Sequence, residues 1–91
     1  MEETRVALLG IVVENPDAVE PLNQLLHQYK DYIIGRMGLP YRARGVNIIS
    51  IVLDAPGDAI NSLSGKVGML PGVTAKAVYS KLPEPPHASA D

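Results

Sequence analysis

Two stretches of the chain are apolar at almost every position, which predicts strands with two buried faces. Residues 46–53 read VNIISIVL, a run rich in β-branched side chains and too short for an independent helix. Residues 5–13 have the same character, interrupted by Gly10. Side chains alternate across a strand, so both faces of 46–53 are apolar. One face carries Ile48 and Val52, and the other carries Ile49, Ile51 and Leu53.

Helix signals follow each of these strands. The sequence Asn15-Pro16-Asp17 predicts a helix start, because Asn caps, Pro suits the first helical position and Asp meets the positive end of the helix dipole. Pro21 is expected to kink or loosen the first turns. A second helix is predicted to begin at 55–58 and to end at 70–72. The apolar stripes of the two helices are Val19, Leu22, Leu26 and Tyr29, and Ile60, Leu63, Val67 and Leu70.

Two further strands complete the pattern. Residues 31–37 predict a strand, and 38–45 predict a long loop that joins it to 46–53 as a β-hairpin. Residues 73–79 alternate between apolar and polar side chains, which indicates a strand with one partly polar face. The predicted order of elements is therefore βαββαβ.

This order predicts an α+β fold, a ferredoxin-like sandwich with an antiparallel four-stranded sheet and two helices on one face. Right-handed crossovers place the first and third strands in the centre, and the second and fourth at the edges. The two strands that are apolar on both faces are the predicted central pair. Lys76 and Lys81 accompany the fourth strand, where charge discourages edge pairing. Because the helices cover only one face, we expect a second copy of the chain to cover the other.

Composition supports one small domain at residues 1–82, followed by a disordered, proline-rich tail at 83–91. Aromatic residues are 4% of the 91 residues and cysteine is absent, so the core must be aliphatic and oligomerisation is the remaining source of stability. No stretch approaches the roughly 18 apolar residues of a membrane span. The acidic N-terminus is unlike a signal peptide, which favours a cytoplasmic location. The net charge of −2 argues against direct binding of nucleic acid.

Candidate ligand-binding residues concentrate at the hairpin. Its arginines lie among glycines that free backbone amides, a combination that can receive an anionic ligand or a partner's carboxylate. Tyr41 adds an apolar ring with a hydroxyl group. A solvated hairpin tip is the alternative interpretation of the same residues. The predicted ligand-binding residues are Arg36, Met37, Gly38, Tyr41, Arg42 and Arg44.

No catalytic or metal-binding constellation is visible in the sequence. A metal site usually needs three or four ligands, and the two histidines, His27 and His87, have no convergent set around them. Ser50, Ser62 and Ser64 have no base nearby in sequence. We therefore expect neither an enzyme nor a metal site, and the residues define no cofactor.

At the hairpin the sequence resembles a known family. DYIIGRMGLPY at 31–41 and GVNIISIVLDAP at 45–56 are similar to the iron-only hydrogenase system regulators, and the similarity extends over residues 4–81. The resemblance implies a ferredoxin-like, ACT-type domain similar to the C-terminal ligand-sensing domain of nickel-responsive repressors. Those repressors add a ribbon-helix-helix segment that contacts DNA, and use several His and a Cys for nickel. Neither feature has a match in this sequence.

Taken with the resemblance, the sequence predicts a cytoplasmic homo-oligomer of ACT-like domains that binds a small effector or a partner protein. Its role would be to regulate maturation or expression of an iron-only hydrogenase, the second being a form of transcription regulation. A small ferredoxin-like enzyme with a pocket between sheet and helices remains an alternative, as does a protein-interaction adaptor. A nucleic-acid binder that uses its sheet face is disfavoured, because the first and third strands carry no aromatic side chains.

Overall fold

The predicted ferredoxin-like α+β fold is confirmed. The computed structural model describes residues 3–81, so the predicted tail at 83–91 lies outside the described residues. The strands are β1 (Arg5–Val13), β2 (Ile33–Tyr41), β3 (Val46–Ala55) and β4 (Val73–Tyr79), and the helices are α1 (Val19–Gln28) and α2 (Gly57–Gly68). The sheet is antiparallel throughout, in the order β2-β3-β1-β4, which places β1 and β3 in the centre as predicted.

The core is an aliphatic layer between the sheet and the two helices. Alternate residues of β1 and β3 point into it, and the apolar stripes of α1 and α2 pack onto them. Most of the core residues that the sheet contributes come from the two central strands, so the core lies under the middle of the sheet. Its members are Ala7, Leu9, Ile11, Val13, Ala18, Leu22, Leu26, Ile49, Ile51, Leu53, Ala55, Ile60, Leu63, Val67 and Val73.

The start of α1 corrects one expectation. The Asn15 side chain caps as predicted and accepts a hydrogen bond from the Asp17 amide at 3.1 Å. A short 3-10 turn, Pro16–Ala18, comes first, and α1 then continues without a break. Pro21 was expected to kink or loosen these turns, but α1 continues through it to Gln28 because Pro21 lies in the first turn, where the amide has no partner within the helix.

The hairpin is longer and its turn shorter than the sequence predicted. A 3-10 turn precedes β2, which begins at Ile33 and runs to Tyr41, so the predicted long loop at 38–45 was wrong. The connection is a 3-10 turn, Arg42–Arg44, closed by Gly45 with a φ of 66°. Gly and Pro are tolerated in an edge strand, where a missing side chain or ladder donor costs little. The predicted hairpin is therefore present, with its strands extended almost to the turn.

A β-bulge in β2 decides which way its side chains point. The pairing of β2 with β3 shifts between Ile33 and Gly35, so that Ile34 and Gly35 lie opposite Val52. Beyond the bulge, Arg36 pairs with the buried Ile51. Arg36 therefore lies on the helix side of the sheet. The next residues alternate, which places Met37, Leu39 and Tyr41 on the side without helices.

The loop before β4 packs against the loop after β1. Gly72 has a φ of 74°, and its carbonyl accepts a hydrogen bond from the Glu14 amide at 2.8 Å. A Cβ atom at Gly72 would lie 2.6 Å from the Cβ of Asn15. This close approach joins the start of β4 to the cap of α1, at the end of the sheet where Val13 pairs with Val73. Within residues 3–81, no helix is long and apolar enough to cross a membrane.

Candidate functional site

The sheet face without helices, called here the open face, is strongly apolar. Among the described residues, eight of the eleven exposed large apolar side chains lie on it, and each is between 38% and 67% exposed. The predicted two-sided apolar character of β1 and β3 is therefore confirmed. The eight are Val6, Leu8, Val12, Met37, Leu39, Tyr41, Ile48 and Val78.

The open face has a shallow trough across its middle. Gly10 on β1 pairs with Ser50 on β3, and these small residues lie between two rows of larger side chains. Met37 and Lys76 stand at the two ends of this central row. The flanking rows contain Val12 with Ile48 on one side and Leu8 with Val52 on the other. Such ridges and a trough allow another apolar surface to interlock with this face.

A second surface feature lies on the helix side, between α1 and the edge strand β2. This α1–β2 groove is a depression of about 300 Å³. Asn23, Leu26 and His27 come from neighbouring positions on one side of α1. The whole lining consists of Asn23, Leu26, His27, Lys30, Ile33 and Arg36.

Positive charge lies over an apolar floor in this groove. Arg36 donates a hydrogen bond from Nη2 to the Oδ1 of Asn23 at 2.7 Å, which holds the guanidinium across the groove. Lys30 adds a second cation, and none of the lining residues is acidic. Leu26 and Ile33 form the apolar part of the lining, and Leu26 is buried in the core. The arrangement suits an anion that also carries an apolar group.

The residues predicted to bind a ligand do not form one cluster within a single chain. They occupy three places, with Arg36 in the groove, Gly38 beside it on the helix side, Met37 and Tyr41 on the open face, and Arg42 and Arg44 in the turn. Arg36 lies six positions before the start of the turn at Arg42, a distance of about 20 Å along extended strand. The role of these residues in ligand binding stays a prediction.

Sequence reasoning missed Asn23 as the hydrogen-bond partner of Arg36. A partial signal was present on the helix, since Asn23, Leu26 and His27 have the spacing of one helical side. No spacing rule connects them to Arg36, because the bulge at Ile34 decides the side on which Arg36 lies.

A third cluster connects the two helices. The Tyr29 hydroxyl lies 3.1 Å from the Oγ of Ser62 and accepts a hydrogen bond from the Nζ of Lys66 at 3.2 Å. The hydrogen bond with Ser62 lowers the pKa of Tyr29 from its ordinary value of 10.0, and Lys66 lowers it further. Partial burial acts in the opposite direction and is outweighed. This trio fastens α1 to α2.

The protein is therefore a small ferredoxin-like domain with two surfaces suited to binding, the apolar open face and the α1–β2 groove. Comparison with known proteins assigns it further. Residues 5–77 match the family model described as "TM1266-like: Iron-only hydrogenase system regulator, putative". The chain belongs to this family, as its resemblance predicted.

One solved structure supports the assignment in both sequence and fold. The uncharacterized protein TM1266 from Thermotoga maritima is 40% identical, with a TM-score of 0.84. The match covers 87% of this chain and 100% of that chain. The comparison with curated proteins finds no match.

Proposed function

We propose that the protein is an ACT-like, ligand-sensing regulator of an iron-only hydrogenase system and acts as a homo-oligomer formed through its open face. The family is described as an iron-only hydrogenase system regulator, which supports the regulatory part. The assembly part rests on the open face, the single observation that carries the proposal. The α1–β2 groove supplies a place for an effector on the opposite side of the sheet.

The size and composition of the open face favour a protein occupant. Four strands at about 4.8 Å spacing and seven residues at about 3.4 Å give a projected area of roughly 450 Å². This area includes Ser50, Thr74 and Lys76 as well as the apolar side chains. It is in the range of the largest apolar patch on a typical monomer, about 300–600 Å², and such patches are often functional. Flat apolar sheets pack face to face at about 10 Å with interdigitating side chains.

A second copy of the chain is the occupant that this face fits. Lys76 and Asp54 give the open face one charge of each sign. In a two-fold interface, a contact between one residue and another on the second chain occurs twice, with the chains exchanged. Two identical open faces can therefore pair Lys76 of each chain with Asp54 of the other while they bury their apolar rows. Assembly would also stabilise a domain whose own core is small and aliphatic.

A charge placed at the centre of the open face tests the proposal. Leu8→Lys puts an unpaired ammonium into the interface and is expected to weaken association by at least about a hundredfold. Light scattering after size exclusion should show multiples of 9.7 kDa for the natural chain and the single-chain mass for the variant.

Met69→Lys is the matched control, since Met69 is 84% exposed at the end of α2 and away from the open face. It is expected to leave the mass of the assembly unchanged. A natural chain that stays monomeric at high concentration would refute the proposal. Equal dissociation by both variants would also count against it, because the effect would then come from added charge alone.

A further inference from the structure

We infer that the α1–β2 groove binds a small carboxylate with an aliphatic tail. This inference rests on the proposed function, because it names the chemical class of the effector that the regulator would sense. Three observations carry it, namely the charge of the groove, the geometry of Arg36 and the apolar floor.

The charge of the groove favours an anion. Lys30 and Arg36 each contribute a full positive charge to the lining, and His27 can add a hydrogen-bond donor. The C-terminal end of α1 lies close by and carries roughly half a negative charge in partial charges, which opposes an anion. Two full cations outweigh this helix effect. Because the groove is open to water, the attraction is screened and needs support from direct hydrogen bonds.

The geometry of Arg36 favours a carboxylate among anions. A guanidinium has five N–H donors in a planar fork, and the bond to Asn23 uses one of them. That bond fixes the plane of the fork, so that less side-chain freedom is lost when a ligand binds. The remaining donors can form two parallel hydrogen bonds to the two oxygens of one carboxylate.

The floor of the groove favours a ligand with an apolar tail. Leu26 is buried and Ile33 is only half-buried, so Ile33 presents the apolar surface that a bare inorganic anion would leave uncovered. A volume of about 300 Å³ is at the lower end of small-molecule pockets, which favours a small ligand over a large one. A short aliphatic carboxylate satisfies both the cations and the floor.

A chain-length series measures both requirements. The full chain is titrated with acetate, butyrate and hexanoate while amide and arginine side-chain NMR signals are followed. Saturable shifts are expected at Leu26, Ile33 and Arg36, and hexanoate should bind at least about tenfold more tightly than acetate, since each buried methylene adds affinity. Hexanamide tests the need for charge, and inorganic phosphate tests the need for the tail. Both should bind more weakly than hexanoate.

Arg36→Gln removes the fork and should weaken hexanoate binding by at least about tenfold. Lys81→Gln makes the same change in net charge at an exposed position outside the groove and should leave the affinity unchanged. The inference is overturned if hexanoate causes no saturable shift, if hexanamide or phosphate matches it, or if both variants weaken binding equally.

Mass measurements on the same samples keep this result apart from the proposed assembly. If the Arg36→Gln protein keeps its oligomeric mass but no longer binds hexanoate, the loss of binding comes from the groove and not from a change in assembly. An assembled natural chain that ignores every carboxylate refutes the site and leaves the assembly standing. A monomeric natural chain that still binds hexanoate refutes the assembly and leaves the site standing.

Discussion

Gly72 makes the contact between the loop before β4 and the cap of α1, and Gly72→Ala tests how much that contact contributes to stability. The residue has a φ of 74°, where an alanine is strained by about 1–2 kcal/mol. The new Cβ would also lie 2.6 Å from the Cβ and 3.3 Å from the amide nitrogen of Asn15. Because no real Cβ tolerates the first distance, one of the two loops must move.

The movement disturbs two hydrogen bonds. One joins the Glu14 amide to the Gly72 carbonyl at 2.8 Å, and the other is the cap from the Asn15 side chain to the Asp17 amide at 3.1 Å. Weakening both adds about 1–2 kcal/mol to the backbone strain. The free energy of unfolding should therefore fall by about 3 kcal/mol, with a melting temperature roughly 15 °C lower.

Gly45→Ala is the matched comparison. Gly45 also has a positive φ, at 66°, but an added Cβ there meets nothing within 4 Å. We expect only the backbone strain, about 1–2 kcal/mol as at Gly72. Urea unfolding of both variants at one protein concentration, followed by circular dichroism, measures the difference, and equal concentration matters because assembly contributes to apparent stability. Equal losses for the two variants would show that the Asn15 contact carries no cost.

Two further predictions concern tyrosines. Ser62→Ala should raise the pKa of Tyr29 in an ultraviolet titration, because the hydrogen bond from Ser62 is the largest cause of the lowered value. The lowered pKa means that folding favours the phenolate, so this contribution to stability is present above pH 10.0 and lost as the pH falls through the pKa of the folded protein. Ser62→Ala should reduce this dependence of stability on pH. An unchanged titration would contradict this account. Tyr79→Phe removes the hydrogen bond donated to Asn61 but keeps the ring 4.5 Å from the Arg5 guanidinium carbon. Thermal unfolding should show that the free energy of unfolding falls by about 1 kcal/mol. Tyr79→Leu, which also removes the ring, should cost more, and equal losses for the two variants would show that the contact between the ring and Arg5 contributes nothing.

The sheet order could be predicted because independent signals in the sequence agree. The β-branched runs at 5–13 and 46–53 are apolar on both faces, and the crossover rule for βαββαβ places these same two strands in the centre. The helix cap at Asn15 and the apolar stripes of the helices could also be predicted, because each depends on residues within a few positions of one another.

The extent of β2 was misread because local and tertiary preferences conflict there. Gly38 and Pro40 have low strand propensity and indicate a loop when considered alone. The alternation of Met37, Leu39 and Tyr41 was the competing signal for a strand with one apolar face. Pairing with β3 on one side only lets the strand continue through both residues.

The groove was harder to predict than the fold. Arg36 was predicted as a candidate ligand-binding residue, but its hydrogen-bond partner Asn23 comes from α1, thirteen residues earlier. Whether the two can meet depends on a one-residue bulge, and a shift of one residue moves every later side chain in a strand to the opposite face. Patterns of residue type do not show where the bulge falls, whereas the residue pairing of β2 with β3 does.

The bulge has a thermodynamic consequence. Successive strand residues lie on opposite sides of the sheet, and the bulge sets the phase so that Arg36 lies in the groove and Met37 on the open face. A single peptide unit is therefore shared by the two surfaces, and its displacement on one side changes the shape of the other. Linkage makes such coupling reciprocal. If occupancy of the groove alters association between chains by some factor, association must alter affinity in the groove by the same factor, and measuring either quantity determines both.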